Sequence, residues 1–420
     1  MRARKLLAGL AVLALVGTAC NGGTTTPEQK VSFSIKIGAL LPLTGFLTDF
    51  GPAMERAAEL AVEYFEDAAT AADQDITVEL LIEDSQTDPT AGVEGANKLS
   101  ADGVVAIVGG AASSVTIAVA ESVTIPNQIL QISPASTSGV ITDLEDDGFV
   151  NRVPPSDEHQ APILAAAIVD AFGDDATINI GARDDAYGQY ITEQVAIELG
   201  KLGAETSDPV LWNPEGRGTY NSEAGRIVAG NPDGWVLVDF PGTWKKVSAA
   251  LVRTDAWDPA RTFSADGLKT PNLPQDPPLG SSCEASEGMR GTAPGGTEFF
   301  DQLWEDRVGD EIARGAFDAH TFDGVMLSLL SAVAAGEADG ALMRDELQAV
   351  SGPGGTQYGI ENLSEAITAL VNGEDIDYEG AAGPINLDEN GDPQSEGAFY
   401  DLWEITDCTM TTVRVERVEA

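Results

Sequence analysis

Basic side chains are what this chain most lacks: 23 Lys and Arg stand against 68 Asp and Glu in 420 residues, a net charge of −45. A nucleic-acid partner needs a cationic face to neutralise phosphates, so that class is excluded. Histidine is nearly absent, with His159 and His320 alone, and only 6% of residues are aromatic, so a multi-histidine metal site has no material. Enzyme signatures are also missing. There is no Gly-x-Ser-x-Gly elbow, no Gly-x-Gly-x-x-Gly after a strand, no phosphate-binding Gly-Lys-Ser/Thr loop and no His-Glu-x-x-His. A Ser–His–Asp triad would have to use one of the two histidines, and His159, in Asp157-Glu158-His159-Gln160, reads as a helix-start residue. No catalytic residue, metal or cofactor is expected. An exported hydrolase is the enzymatic alternative, and it lacks a nucleophile.

What is present begins with an address. Arg2, Arg4 and Lys5 precede an apolar run over residues 6–19, the pattern of a secretory signal and too short to span a bilayer as a mature helix. The small residues Gly17, Thr18 and Ala19 before Cys20 are similar to a bacterial lipoprotein cleavage box, with Cys20 as the lipidated first residue of the mature chain. Residues 20–32, small and polar, suit a flexible tether. Removal of residues 1–19 leaves 20 basic against 68 acidic residues, −48, a surface built for solvation and mutual repulsion. A monomer is expected. No other stretch reaches 18 apolar residues, so the lipid would be the only membrane attachment. Cys283 and Cys408 remain, an even pair in an exported chain with no zinc spacing, and a disulfide between them is expected.

From residue 35 two periodicities alternate. Strand patterns at 35–41, 76–82, 104–108 and 129–133 are separated by helical patterns after Pro52, at 91–99 and at 114–123. Strands separated in this way imply right-handed crossovers and parallel sheets covered on both faces. Val153-Pro154-Pro155-Ser156 breaks the pattern, and it restarts: helix 161–172, strand 177–182, helix 190–202, strand 209–212, helix 221–229, strand 235–238, helix 244–253, strand 261–264. The expected architecture is α/β, two doubly wound parallel-sheet lobes. Residues 268–287, with four prolines, read as a loop or insertion, and helical patterns return at 299–307 and 317–335. Asn390-Gly391 marks a hairpin turn.

Open parallel sheets bind ligands beyond the carboxyl ends of their strands. There, Gly109-Gly110-Ala111-Ala112-Ser113-Ser114 offers hydroxyls and free backbone N–H groups, and Pro134-Ala135-Ser136-Thr137-Ser138 supplies more, together a cradle for one carboxylate. Asp266, at the end of a second-lobe strand, could accept hydrogen bonds from an ammonium. Phe50 and Tyr187, one per lobe, are candidate aromatic walls.

With these residues in hand, the chain resembles the branched-chain-amino-acid-type (leucine/isoleucine/valine-binding) solute-binding proteins of ABC importers, the type I periplasmic binding fold. The matching segments are Ile37-Gly38-Ala39-Leu40-Leu41-Pro42-Leu43-Thr44-Gly45, Ile107-Val108-Gly109-Gly110, Ile132-Ser133-Pro134-Ala135-Ser136-Thr137, Asp185-Ala186-Tyr187-Gly188, Glu287-Gly288-Met289-Arg290-Gly291 and Phe322-Asp323-Gly324, in the family's order. The resemblance implies two lobes, 33–153 with 293–372 and 154–292 with 373–420, joined by three crossover strands. It implies a ligand carboxylate held by Ser113 and by the loop at Ala135, Ser136 and Thr137, and an ammonium held by Asp266. Walls would come from Phe50, Tyr187 and Phe317, with Asp239 near a further contact position. Asp266 is one methylene shorter than the glutamate common there, and Phe50 lacks the polar tip of the usual tyrosine or tryptophan. The function implied is a small-molecule receptor that presents an amino acid, or a related amide or acid, to a membrane permease. A sensor of the same fold, signalling to a partner receptor, is the alternative.

Overall fold

The computed structural model describes residues 30–215, 218–275 and 283–418, so Cys20 and most of the tether lie outside the described residues. The first lobe is built on strands β1 (Ser32–Leu41), β2 (Asp75–Asp84), β3 (Ala106–Gly109), β4 (Leu130–Ser133) and β5 (Val150–Arg152). They form an all-parallel sheet in the order β2-β1-β3-β4-β5. Helices α1 (Gly51–Ala71), α2 (Pro89–Ala101) and α3 (Ser113–Val119) connect the strands, and α3 continues through a π turn (Ala120–Thr124) into the short α4 (Ile125–Asn127). Local chemistry starts α2 where expected: Asp88 caps the backbone N–H of Ala91, and Pro89 occupies the first turn, where its missing donor costs nothing.

The second lobe restarts after the Pro154-Pro155 break. Ser156 caps α5 (Asp157–Phe172), followed by β6 (Thr177–Arg183), α6 (Ala186–Leu202), β7 (Glu205–Thr206), β8 (Val210–Trp212), α7 (Asn221–Ile227), β9 (Gly234–Val238), α8 (Pro241–Val252), β10 (Thr262–Ser264) and β11 (Arg290–Pro294). Parallel pairing runs β11-β10-β9-β6, with β7 and β8 both on β6. The expected α/β architecture with two parallel sheets is therefore present. The chain then returns to the first lobe as α9 (Glu298–Arg307), α10 (Asp318–Ala335), α11 (Gly340–Ser351), β12 (Thr356–Gly359), α12 (Leu363–Val371) and β13 (Ile376–Glu379), and β12 pairs with β13. Helix α10 is buried on nearly every side against α1, α11, α12 and the first sheet, as an all-round apolar helix must be. Gly324 lets it approach, since a Cβ there would stand 2.9 Å from a Val108 methyl. No single helix among the described residues is long and apolar enough to cross a membrane.

Residues after 379 supply a feature that the helical alternation did not foretell. Strands β14 (Phe399–Thr406) and β15 (Thr409–Arg417) form an antiparallel hairpin that extends the second sheet from β11. The sheet is thus mixed at that edge. Cys283 and Cys408 are bonded, as expected, tying the hairpin tip to the end of the insertion, of which residues 276–282 lie outside the description.

Three connections run between the lobes, and buried polar side chains fix the last of them at two points. Asp323 of α10 accepts from the Ala381 and Ala382 backbone N–H groups at 2.7 Å and from the Tyr378 hydroxyl at 3.0 Å; burial still pushes its carboxyl up to about 7. The Asn390-Gly391 turn does form, closed by Asp388, and it delivers Asp392 to Arg152 at the end of β5. Arg152 is fully buried and grips Asp392 bidentately, Nε–Oδ1 and Nη2–Oδ2 both 2.6 Å, while donating to the Ser138 carbonyl and Thr142 hydroxyl. Asp392→Ala would leave that guanidinium buried without a counter-charge, and denaturant unfolding should show a loss of about 3–5 kcal/mol; adding Arg152→Met should recover much of it. The disulfide closes a chain segment of 125 residues. On the loop-entropy account its removal by Cys283→Ser with Cys408→Ser costs about 5 kcal/mol, read as a lowered unfolding midpoint.

Candidate functional site

The carboxyl ends of both sheets face each other across a cleft, and the lobes touch at its mouth. The Gly242 backbone N–H donates to the Phe46 carbonyl at 3.0 Å, and the Ser138 hydroxyl to the Ala186 carbonyl at 2.9 Å. Between them lies a tight cavity of about 20 Å³, room for little more than water with the lobes in this arrangement. The first lobe contributes Leu47, Phe50, Met54, Ala111, Ser113, Ala135 and Phe317; the second contributes Tyr187, Phe240, Asp266 and Gly267.

A scaffold of hydroxyls shapes the first-lobe side. The Ser133 hydroxyl donates to the Gly110 carbonyl at 2.7 Å, and the Thr116 hydroxyl donates to the same carbonyl at 2.9 Å and meets the Ser136 hydroxyl at 2.7 Å. These bonds hold loop 109–116 against loop 133–138. Gly109 is required there, because a Cβ would stand 2.4 Å from the Leu40 carbonyl oxygen. Ser113, the first residue of α3, accepts from the Ser138 backbone N–H at 3.3 Å, which leaves its own proton free to donate into the cleft. Phe317 precedes α10 in the left-handed region, φ 69°, an expensive conformation for an aromatic residue. Its ring stands 6.4 Å from Phe50 and 5.5 Å from His320. His320, buried outside the cleft wall, is held neutral by burial, its pKa lowered to about 3.

On the second-lobe side Asp185 caps α6 through the Gly188 N–H and so presents Tyr187 in the first turn. Tyr187 stacks on Phe240 with centroids 5.3 Å apart, donates to Asp266 Oδ1 at 3.1 Å, and accepts from the Gly267 N–H at 3.1 Å. Burial raises the pKa of both the Tyr187 phenol and the Asp266 carboxyl.

Of the residues expected from sequence, Phe50, Ser113, Ala135, Tyr187, Asp266 and Phe317 line one cavity. Three stand elsewhere. The Ser136 hydroxyl is turned into the loop scaffold, bonded to Thr116 and the Ala111 carbonyl. The Thr137 hydroxyl faces Asp157, not the cavity. Asp239 is buried behind Phe240, accepting from the Phe240 N–H at 2.8 Å, with Arg183 Nη1 at 3.6 Å; burial outweighs that neighbour and pushes its carboxyl up to about 8. Leu47 and Phe240 were in reach of sequence reasoning, since both lie in strand-end loops, but nothing in their type marked them. Met54 carries no sequence signal of its own, Ala111 belongs to the 109–114 cradle named above, and Asp157 reads as the start of a helix.

A model of the family described as periplasmic binding protein matches residues 34–359. The chain belongs to that family. This member is 27% identical over 387 residues to the chemotactic signal transduction system substrate-binding protein BasB of Halobacterium salinarum, covering 90% of this chain and 88% of that protein. Its fold matches the leucine-binding protein LivK of Thermotoga maritima with TM-score 0.71 at 20% identity, covering 91% of this chain and 99% of that one. A solute-binding protein of an ABC transporter from R. palustris, in complex with benzoate, matches with TM-score 0.70 at 16% identity, covering 92% and 98%. The periplasmic binding protein described here is accordingly a binding protein and not an enzyme. Tyr187→Phe should cost about 1–3 kcal/mol in urea unfolding, because the Gly267 N–H and Asp266 each lose a buried partner.

Proposed function

We propose that this periplasmic binding protein is the extracytoplasmic receptor of an ABC importer and holds an amino acid between its lobes. The observation that carries this reading is the polarity of the cavity: one carboxylate, Asp266 with its Tyr187 hydroxyl, stands on one lobe, and the Ser113 hydroxyl stands on the other, between Phe50, Phe240 and Phe317. In this reading Asp266 takes the ammonium, and Ser113 with the backbone at Ala135 takes the carboxylate. Ser136, Thr137 and Asp239 act from behind, holding the loops and the Phe240 wall. Asp266 is the only charged side chain lining the cavity among the described residues, so a benzoate-like anion would meet repulsion there.

Ligand contacts from both lobes exist together only when the lobes are closed, so ligand stabilises the closed shape that a permease recognises. Lipid on Cys20 would keep the receptor at the cell membrane as a monomer, on its tether. A sensing role is the second reading, favoured by the chemotactic relative that matches 90% of the chain.

A thermal-shift screen of the chain from residue 21 against amino acids, amides, sugars and carboxylates tests the ligand class. An amino acid at 100 times its Kd should add about 2.7 kcal/mol of stability. The shift should disappear in Ser113→Ala with Asp266→Ala. Stabilisation by benzoate or neutral amides, with none by any amino acid, would overturn the assignment.

A further inference from the structure

Phe317 belongs to two spaces. It lines the cleft cavity, and it also lines a second, larger hollow of about 770 Å³ bounded by the start of α10 and by the β14–β15 hairpin. The first lobe supplies residues 314–320 to this hollow, the second supplies Lys269, Pro271 and side chains of β14 and β15, and the crossing segment 294–297 joins the two walls. The inner cavity measures about 20 Å³, so the hollow is where a ligand has room for more than its head group.

Specific bonds fix both walls. Asp318, the first residue of α10, accepts from the Gly315 N–H at 3.1 Å and from Arg314 through Nε at 2.5 Å and Nη2 at 3.0 Å, which clamps the segment that carries Phe317 in its left-handed conformation. Opposite it, Trp403 is buried with its Nε1–H donating to the Thr292 carbonyl at 3.3 Å. The Gly295 N–H donates to the Phe399 carbonyl at 2.8 Å, tying the crossing to the hairpin, and the disulfide at Cys408 holds the hairpin from its tip.

The chemistry of the hollow suits an uncharged group. Its cations among the described residues are already engaged, Lys269 with Asp401 and Arg314 with Asp318 and Asp301. A charged tail would have to break one of these pairs to gain a partner. The apolar lining comes from Pro271, Pro294, Phe399, Trp403, Met410 and Val415, rings and aliphatic groups on which an aromatic side chain packs well. One polar atom beside Phe317 has no partner. This is Nδ1 of His320, a residue 3% exposed that lines the hollow but not the inner cavity, its ring edge-on to Phe317 at 5.5 Å. A buried nitrogen left in this way is costly, and a ligand N–H or O–H reaching past Phe317 would bond it.

We infer that the ligand site has two compartments divided by Phe317, and that the outer one receives a large uncharged side chain, aromatic by preference, of an amino acid whose head group sits at Asp266 and Ser113. This inference rests on the amino-acid reading of the cleft and adds a size class to it. The Phe317 ring faces Phe50 on the inner side, centroids 6.4 Å apart, and His320 on the outer side. A methyl side chain stays inside the divide and gains nothing from the hollow; an indole reaches across it.

The test is calorimetric titration of the chain from residue 21 with alanine, leucine, phenylalanine and tryptophan, and with lysine and glutamate as charged tails. Tryptophan should bind at least about tenfold more tightly than alanine. A second arm fills the hollow from its exposed side: Thr412→Trp, on β15, should bring the ratio of tryptophan to alanine affinity down to near one, and Val415→Trp carries this arm if the first variant fails to fold. Equal affinity along the series, or an undiminished ratio in the filled variant, overturns the outer compartment. Tightest binding of lysine or glutamate overturns its uncharged character. When alanine or leucine binds and tryptophan does not, the outer compartment alone falls; when no amino acid of any size binds, the amino-acid reading of the cleft falls and this inference with it.

Discussion

The buried Arg152–Asp392 pair governs more of this molecule than its two residues suggest. A guanidinium with no exposed surface is tolerable only when its donors are satisfied, and here Asp392, Thr142 and the Ser138 carbonyl satisfy them. The pair fixes the last crossing between the lobes against β5. It also orients the Ser138 segment, whose N–H reaches Ser113 and whose hydroxyl meets the opposite lobe at Ala186. The hinge and the cleft wall are therefore one connected polar structure.

The same pair sets the electrostatics of the cleft. Engaged with Asp392, Arg152 still lowers the Asp157 pKa, but burial outweighs it and raises that carboxyl. In a chain of net charge −45 most acids face water and are screened, so their number says little about recognition. A carboxylate removed from water is different, because its cost is met only by a cation or by a proton. In the proposed reading, recognition is concentrated in the few acids that the fold buries, and the acidic surface serves solvation.

Aromatic placement shows a related economy. With 6% aromatic residues the chain has few rings to commit, yet Phe50, Tyr187, Phe240 and Phe317 converge on one cavity. Each is set by backbone features of its own loop: Phe50 immediately before α1, Tyr187 in the first turn of α6, Phe240 immediately before α8, and Phe317 in a left-handed conformation before α10. Rings carried at helix starts move with rigid elements, so lobe closure would bring intact walls together without remodelling the loops.

Much of this was legible in the sequence. The two periodicities gave the parallel sheets, Pro154-Pro155 the break between lobes, and strand ends the loops where Ser113, Tyr187 and Asp266 were sought, because each of these depends on local spacing along the chain. The Cys283–Cys408 bond followed from compartment and parity. The terminal hairpin escaped because its strands are held by β11 and the disulfide, partners distant in sequence. Asp239 and Ser136 looked alike on paper to the residues that reach the cavity; only packing turned one behind Phe240 and the other into a hydroxyl scaffold. Asp157 shows the limit most clearly. Its position at a helix start is ordinary in sequence, and what sets its chemistry is complete burial, a property of desolvation that no local pattern encodes.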